Sequence, residues 1–314
     1  MAGWDRIGKR ENTMKEFKTH PDMREDCTID QGWDKYTRDE HKVWGTLYRR
    51  QMDLLPGRVC EDYLEGVRTL EINPQEIPRF DNLTKILKPR TGWEIVAVPG
   101  LIPSKPFFTL LANRKFPVTY WIRKPEEMDY LEEPDLFHDL FGHVPLLTNP
   151  VYGDFIAAYG RGGLKAMGLK GLHYITRLFW YSIEFGLLNT PQGLRIYGAG
   201  IVSSRGETQY ALESDSPHRV GFDVMRMMQT RYRIDDYQES YFVIENFDQL
   251  FDATRPDFTP YYEKLRNLPT LDPGDVTPQD VVFNKGTGEY ARQRKLAGEA
   301  AAQQGKPGIA KPHG

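Results

Sequence analysis

The sequence predicts a mainly α-helical protein with a few short β-strands, folded as a single domain. Three observations indicate this class. Apolar residues recur every three to four positions through most of the chain, only a few short segments carry the pattern of extended strands, and no linker or internal repeat interrupts residues 31–285. The 314 residues, of which 12% are aromatic, are enough to build a large hydrophobic core.

The predicted helices begin after a weakly patterned amino-terminal stretch. Trp44, Leu47 and Met52 fall on one face of the first helix because they repeat at helical spacing. The same periodicity predicts further helices over residues 59–70, 78–88, 151–167, 171–190 and 218–230.

Two segments are typical of strands. Residues 93–103 are rich in β-branched side chains and end in proline and glycine, and residues 116–123 alternate between apolar and polar positions. We also expect a hairpin around Leu194–Val202, and a strand followed by a helix within 232–250.

These patterns divide the chain into three parts. Residues 1–30 are polar and weakly patterned, which predicts a poorly ordered arm, and residues 31–285 are predicted to form the one folded domain. The last part, residues 286–314, ends in a run of small, polar, proline- and glycine-rich residues and is predicted to be a flexible tail.

Charge and cysteine content exclude several classes of function. The net charge of −3, without a long basic or acidic block, argues against binding to nucleic acid or to a membrane surface. Cys27 and Cys60 form neither a disulfide framework nor a metal-binding pair. No apolar run is long enough for a secretory signal or a membrane span, so we expect a cytoplasmic protein.

The segment E-E-P-D-L-F-H-D-L-F-G-H-V-P, residues 132–145, carries His138 and His143. On a continuous α-helix, residues five apart point roughly 140° away from each other and cannot bind one metal ion. Gly142 and Pro145 favour an end of the helix, after which His143 lies on the departing chain and can turn back toward His138. The alternative is a pair of histidines that fill the core.

Glu184 lies in a helical segment among large apolar residues, with Trp180 one turn before it. A buried carboxylate without a partner costs several kcal/mol, so it needs a cation. Arg177 or Arg195 is one candidate partner, and a metal ion shared with the two histidines is the other.

Two imidazoles and one carboxylate form the ligand set that leaves open coordination positions on non-haem Fe(II). Zinc accepts the same ligands, so a non-enzymatic helical protein stapled by zinc is an alternative. A structural zinc site more often has four protein ligands, and no cysteine lies near the three residues in sequence. An Fe(II) enzyme that uses a 2-oxo acid usually has a jelly-roll fold, which the helical pattern disfavours.

Three motifs identify a family. P-D-L-F-H-D-L-F-G-H-V-P-L, W-Y-S-I-E-F-G-L and Y-G-A-G-I-V-S-S-R-G-E, in this order and spacing, resemble the aromatic amino acid hydroxylases, and most of all their short bacterial members that act on phenylalanine. The segments V-P-G-L-I-P-S-K-P-F-F and W-I-R-K-P extend the resemblance over roughly residues 40–255. It implies one largely helical catalytic domain that encloses a non-haem iron site.

The resemblance implies a reaction and a ligand set. L-phenylalanine is converted to L-tyrosine with O2 and tetrahydrobiopterin, at Fe(II) held by the catalytic residues His138, His143 and Glu184. A hydroxylase that prefers tryptophan or tyrosine is the alternative within the family.

Further residues match the family's pterin site. Phe107 corresponds to the ring that stacks on the pterin, and the backbone of Gly100, Leu101 and Ile102 corresponds to the segment that hydrogen-bonds the pterin edge. Asp139 corresponds to an acidic residue that meets the pterin through water.

Other matches concern the substrate. Arg123 fits the arginine that binds the amino acid carboxylate, and Asp135 would orient it. Trp180 would line the pocket for the aromatic ring, and Ser203 would support the substrate or an iron ligand.

Departures from the family pattern bear on selectivity. Phe179 stands where many relatives have tyrosine, and Leu131 replaces a threonine of animal relatives. Ile234 occupies a position that is often acidic in tyrosine hydroxylases, and Trp180 differs from the phenylalanine typical of tryptophan hydroxylases. Together Ile234 and Trp180 favour phenylalanine as the substrate.

The tail lacks heptad repeats, so we expect a monomer.

Overall fold

The structure is a computed structural model that describes residues 19–129, 131 and 133–303. It confirms the mainly α-helical class with short strands. In the described part of the chain the α-helices are α1 (Arg38–Met52), α2 (Glu61–Thr69), α3 (Phe80–Thr91), α4 (Ser104–Ala112), α5 (Pro150–Gly168), α6 (Leu172–Phe179), α7 (Ala199–Val202), α8 (Arg205–Glu213), α9 (Val224–Gln229), α10 (Phe247–Asp252), α11 (Thr259–Leu265) and α12 (Glu289–Gln303).

The strands of the described residues form two small sheets. They are β1 (Glu94–Val98), β2 (Lys115–Thr119), β3 (Gly186–Thr190), β4 (Gly193–Ile196), β5 (His218–Gly221), β6 (Ser240–Ile244) and β7 (Val282–Asn284). Strands β1 and β2 pair in parallel, with α4 as the crossover between them. The second sheet has the order β4-β3-β6-β5-β7, in which β3, β6 and β5 are parallel and the outer strands are antiparallel.

Two predicted helices are partly strands. Residues 186–190 form β3 instead of continuing the helix predicted over 171–190, and residues 218–221 form β5 ahead of the short helix α9. Both strands lie beside the fully buried strand β6. β3 and β5 each bury only two or three consecutive residues, and a buried run this short cannot be assigned to a strand or a helix from periodicity alone.

Two π-helices carry the segments with the predicted metal ligands. One spans Phe137–His143 and continues into a 3-10 helix at Val144–Thr148, and the other, Trp180–Glu184, directly follows α6. The prediction that the helix ends near Gly142 was therefore wrong. A π-helix bonds each N–H to the carbonyl five residues earlier, so residues five apart share one face without any break in the helix.

Close packing holds the first π-helix in place. Phe137 and Phe141 stack at 4.7 Å between ring centroids, and the Tyr63 hydroxyl of α2 donates to the Phe141 carbonyl at 2.6 Å. All three side chains are fully buried. On the opposite side, Gly142 meets the backbone of α7, where an added Cβ would lie 2.9 Å from the Ala199 carbonyl oxygen. A glycine is thus needed at position 142 because the backbone of α7 approaches it closely, and not because the helix ends there.

The structure differs from the expected domain limits at both ends. Residues 1–18 of the predicted arm lie outside the described residues, but Cys27, Thr28 and Ile29 are buried, and Ile29 bridges to Ala97 of β1. Within the predicted tail, residues 289–303 form α12. The segment E-Y-A-R-Q-R-K-L-A-G-E-A-A-A-Q consists mostly of strong helix formers, and this signal outweighs the composition of the residues that follow it.

Among the described residues, no helix combines the length and apolar character needed to cross a bilayer.

The contact of Gly142 with α7 makes a stability prediction. Gly142→Ala should lower the free energy of unfolding by about 1–3 kcal/mol, because the added methyl group overlaps buried backbone. Chemical denaturation would measure this loss. Gly168→Ala at the end of α5 is the control, since nothing lies within 4 Å of a Cβ there. Equal stabilities for the two variants would contradict the packing described.

Candidate metal centre and active site

His138, His143 and Glu184 converge in the middle of the molecule. One ligand atom from each lies within 4.8 Å of the others. Nε2 of His138 is 3.6 Å from one Glu184 carboxylate oxygen, and Nε2 of His143 is 3.3 Å from the other. Three donors that face one point at this separation fit a single metal ion and leave the remaining coordination positions to other ligands.

The second π-helix places Glu184 in this group. The Phe185 amide donates to the Trp180 carbonyl five residues earlier, and Glu184 is only 9% exposed. Neither arginine considered as its partner binds it: Arg177 donates to backbone carbonyls of residues 228 and 229, and Arg195 to that of Leu194. The two histidines are the groups that face the carboxylate.

Glu184 and the two imidazoles are close enough to affect each other's protonation. Burial opposes the charge of Glu184, but the two nearby imidazoles outweigh it and hold the pKa of this carboxyl well below its usual range. Burial also disfavours protonated His138, yet the Glu184 charge outweighs this effect and raises the pKa of that histidine. A buried ionised carboxylate beside two imidazole nitrogens is a donor set that suits Fe(II) or zinc.

Ser203 fixes the tautomer of His138. The Ser203 hydroxyl donates its proton to the Ala199 carbonyl at 2.9 Å, and its oxygen lies 2.8 Å from Nδ1 of His138. Because the hydroxyl has only one proton, it must accept from Nδ1–H. The lone pair of His138 is therefore on Nε2, the atom that faces Glu184, as metal binding requires.

His143 has a different environment. Its Nδ1 is buried and has no hydrogen-bond partner among the described residues. The ring lies between the aromatic rings of Phe116, at 5.2 Å, and Phe179, at 6.3 Å. Packing, rather than a hydrogen bond, orients this second imidazole.

Arg123 and Asp135 form a buried ion pair beside the metal site. Nε and Nη2 of Arg123 each donate to a carboxylate oxygen of Asp135 at 2.9 Å, and the Arg123 amide donates to the same carboxylate. Arg123 is 8% exposed and Asp135 is fully buried. Burial opposes the charge of Asp135, but Arg123 holds the pKa of its carboxyl below the usual value. The pair is thus buried, unlike exposed ion pairs, which contribute little to stability.

Asp135 also forms a hydrogen bond with the first π-helix. Its carboxylate accepts the backbone N–H of His138 at 3.0 Å. Asp139, one residue further on, accepts the amide of Thr119 at 2.8 Å at the end of β2. Burial raises the pKa of Asp139 despite this hydrogen bond.

Four of the five residues matched to the pterin lie on the segment from β1 to α4, whereas Asp139 lies on the first π-helix. Gly100 has a φ of 149°, a conformation that other residues rarely adopt. Within the described residues, the backbone amides of Gly100, Leu101 and Ile102 donate to no protein acceptor, so they are available to a ligand. Phe107, on α4, packs edge-on against Phe179 at 6.0 Å.

Phe179 connects this segment to the metal site. Its ring contacts that of Phe107 on one side and that of His143 on the other. Phe179 is therefore part of a continuous aromatic wall.

Trp180 forms another wall with residues that the sequence analysis missed. Its indole N–H donates to the Gln238 side chain at 2.9 Å, and its ring stacks on Tyr232 at 4.5 Å. Ile234 belongs to the same segment, 231–239, but its side chain is 38% exposed and is not brought against the metal ligands. Neither Gln238 nor Tyr232 has a sequence signal, because their contacts with Trp180 cross more than fifty residues.

An open cavity of about 900 Å3 lies next to this site. Its walls include Pro99, which precedes Gly100, together with Leu131 and the neighbours of Arg123 in sequence, Ile122 and Lys124. Neither the three metal-ligand candidates nor Arg123 line it, so the cavity borders the site without containing it.

The fold and the three-donor site define a mononuclear non-haem metal enzyme. The sequence profile described as "biopterin-dependent aromatic amino acid hydroxylase" matches residues 27–266, and the chain belongs to this family. The predicted family is thereby confirmed.

Similar proteins include two bacterial enzymes named phenylalanine-4-hydroxylase. The one from Ralstonia nicotianae is 58% identical over 267 residues, which cover 85% of this chain and 85% of the relative. The one from Chromobacterium violaceum is 57% identical over 261 residues, covering 83% and 88%.

Two solved structures of a similar protein come from Chromobacterium violaceum. The iron- and phenylalanine-bound phenylalanine hydroxylase of Chromobacterium violaceum matches with a TM-score of 0.80 and 53% identity, over 88% of this chain and 99% of that one. The cobalt-bound structure of that protein matches with a TM-score of 0.82 and 54% identity, over 88% and 98%.

The hydrogen bond from His138 to Ser203 predicts a change in metal affinity. Ser203→Ala should weaken Fe(II) binding by roughly 10- to 100-fold, because Nδ1–H loses its acceptor and the ring its orientation. Anaerobic Fe(II) titration would measure the affinity. Ser240→Ala removes a buried hydroxyl that bonds the Pro273 carbonyl away from the site and should leave it unchanged. Equal affinities for both variants would show that Ser203 does not orient the ligand.

Proposed function

We propose that this chain is a phenylalanine 4-monooxygenase, which hydroxylates L-phenylalanine to L-tyrosine with O2 and tetrahydrobiopterin. The observation that carries the proposal is the position of a buried guanidinium next to a three-donor metal site. Asp135 bonds both Arg123 and the backbone of His138, so it links the predicted carboxylate anchor to the metal ligands. The names and the bound molecules of the similar proteins support the same substrate.

The substrate would bind through Arg123. Asp135 occupies the edge of the guanidinium formed by Nε and Nη2. The other edge, formed by Nη1 and the second proton of Nη2, makes no hydrogen bond within the described residues and suits an amino acid carboxylate. With the carboxylate held there, Trp180 would contact the aromatic ring.

The metal would be Fe(II), held by His138, His143 and Glu184. When bound, Fe(II) and tetrahydrobiopterin supply the electrons that split O2, with one oxygen atom going to the ring of the substrate and the other to the pterin. The protein orients the reactants and excludes water. Phe107 would stack on the pterin, the backbone of residues 100–102 would bond its edge, and Asp139 would meet it through water.

The wall around Trp180 supports phenylalanine over the larger tryptophan. The Trp180 indole is fixed by Gln238 and Tyr232, so it does not swing aside to enlarge the pocket. Ile234 supplies no charge to this wall, in keeping with an apolar substrate ring.

We further propose a cytoplasmic monomer that binds neither nucleic acid nor membranes. Cys27 and Cys60 are both free thiols, as expected in a reducing compartment, and the net charge of −3 is nearly neutral. Analytical ultracentrifugation would test the monomer, and a stable tetramer would overturn it.

The proposed reaction requires iron and pterin together. Anaerobic loading with Fe(II), followed by tetrahydrobiopterin, O2 and L-phenylalanine, should yield tyrosine, and Glu184→Ala should abolish the product because the metal loses its only carboxylate ligand. Liquid chromatography would quantify hydroxylation of phenylalanine, tryptophan and tyrosine in parallel.

Two outcomes would overturn this assignment. If tryptophan or tyrosine has the highest kcat/KM, the substrate is another aromatic amino acid. If zinc stabilises the fold and no combination of metal and pterin yields product, the three donors form a structural site instead.

Arg123 should control affinity for the amino acid more than for the pterin. Arg123→Lys keeps a positive charge but loses the planar fork, so KM for phenylalanine should rise by roughly 10- to 100-fold. Steady-state kinetics with each substrate varied in turn would measure this, and KM for tetrahydrobiopterin should change little. Arg58→Lys is the control, because Arg58 pairs with Glu213 at the surface. A similar rise in both KM values would indicate general distortion of the site instead of a lost carboxylate anchor.

A further inference from the structure

Helix α12 is attached to the rest of the protein by a buried carboxylate. The Tyr290 hydroxyl donates to one oxygen of Asp236 at 2.6 Å, and Nε of Arg294 donates to the other at 2.6 Å. Asp236 is 2% exposed, and Arg233 lies 3.9 Å from it as a more distant cation. A carboxylate buried to this degree depends on its partners, and α12 supplies two of them.

The start of α12 is fixed independently of Asp236. The Gly288 amide donates to the Ser216 carbonyl, and the Tyr290 amide donates to the Ser216 hydroxyl. The Tyr290 ring also packs against those of Tyr210 and Tyr237 at 5.2 and 5.4 Å. The helix is thus a built part of the fold at its first turns, although it lies beyond residue 266, where the match to the family profile ends.

Asp236 lies in the segment that supports Trp180. Two residues later, Gln238 accepts the Trp180 indole N–H, and its own amide group donates to the carbonyls of Arg233 and Asp236 at 2.9 and 3.4 Å. Tyr232, in the same segment, stacks on the Trp180 ring with an interplanar angle of 20°. The position of this segment therefore sets the position of the indole.

We propose that Tyr290 and Arg294 of α12 are positioning residues for the substrate pocket: by holding Asp236, they keep segment 231–239 where Gln238 and Tyr232 fix Trp180. The proposal rests on the proposed function in one respect, namely that Trp180 faces the aromatic ring of the substrate. In this proposal, helix α12, which lies outside the part of the chain matched by the family profile, contributes to the affinity for the substrate.

The double variant Tyr290→Phe/Arg294→Met tests this link. It removes both donors to Asp236 while keeping the aromatic ring and most of the side-chain volume. Amide hydrogen exchange should rise by roughly tenfold in peptides that cover 231–239, because the segment loses its anchor. KM for phenylalanine should rise by roughly tenfold, while kcat and KM for tetrahydrobiopterin change much less. Thermal unfolding would verify that the variant is folded.

Two further variants separate positioning from general damage. Arg292→Ala removes an exposed pair with Glu289 on the same helix and should change neither exchange nor KM. Arg294→Lys, which keeps the positive charge, should recover part of the wild-type KM. In a Trp180→Phe background, the double variant should add little, because the effect passes through the indole.

The outcomes distinguish this inference from the function on which it rests. If the double variant matches Arg292→Ala in both exchange and KM, α12 does not position the segment. An exchange increase with an unchanged KM would confine α12 to a structural role and overturn the proposal. If the wild-type chain forms no tyrosine, the proposed function fails, and the exchange comparison still decides whether α12 holds segment 231–239.

Discussion

The active site depends on the way two helical segments are wound. An α-helix would direct His138 and His143 to different sides, whereas the i to i+5 hydrogen bonding of the π-helix aligns them. The segment that ends in Glu184 is wound in the same way. A π-helix is rare and must be compensated by surrounding contacts. Those contacts are visible: stacked aromatic rings, the hydroxyl of Tyr63 on a backbone carbonyl, and a glycine against α7.

Around these two helical segments, the candidate metal ligand His138 and the buried pair of Arg123 and Asp135 are connected through hydrogen bonds. Ser203 determines which nitrogen of His138 carries the proton, and Asp135 bonds both Arg123 and the backbone of the same histidine. His143 is oriented by aromatic packing instead. The two imidazoles therefore respond to different kinds of substitution, one to the loss of a polar group and the other to changes in the shape of the core.

Much of the site could be predicted from the sequence, because its residues lie in short motifs with chemical requirements. The histidine pair and the isolated glutamate are of this kind, whereas the pairing of Arg123 with Asp135 was implied by the resemblance to the family. The π-helical hydrogen bonding could not be predicted from the sequence, since π- and α-helices share the same apolar pattern over one turn. Strands β3 and β5 were mistaken for helix because each buries only two or three consecutive residues, and their pairing with β6 is not visible in the local sequence. The contacts of Trp180 with Gln238, and of Asp236 with α12, join residues more than fifty positions apart, and a single sequence has no local signal for them.

The double attachment of Asp135 limits how such an enzyme can be redesigned. With Arg123 in its proposed role as the carboxylate anchor, a catalyst for aromatic amines, which lack that carboxylate, would not need this residue. Replacing that arginine alone, however, would leave a fully buried carboxylate without its cation, at a cost of several kcal/mol. Because Asp135 also bonds the backbone of His138, the unpaired carboxylate would disturb the position of that histidine. The affinity for the metal would then fall together with the specificity for amino acids. Selection for new substrates therefore has to alter residues 123 and 135 together.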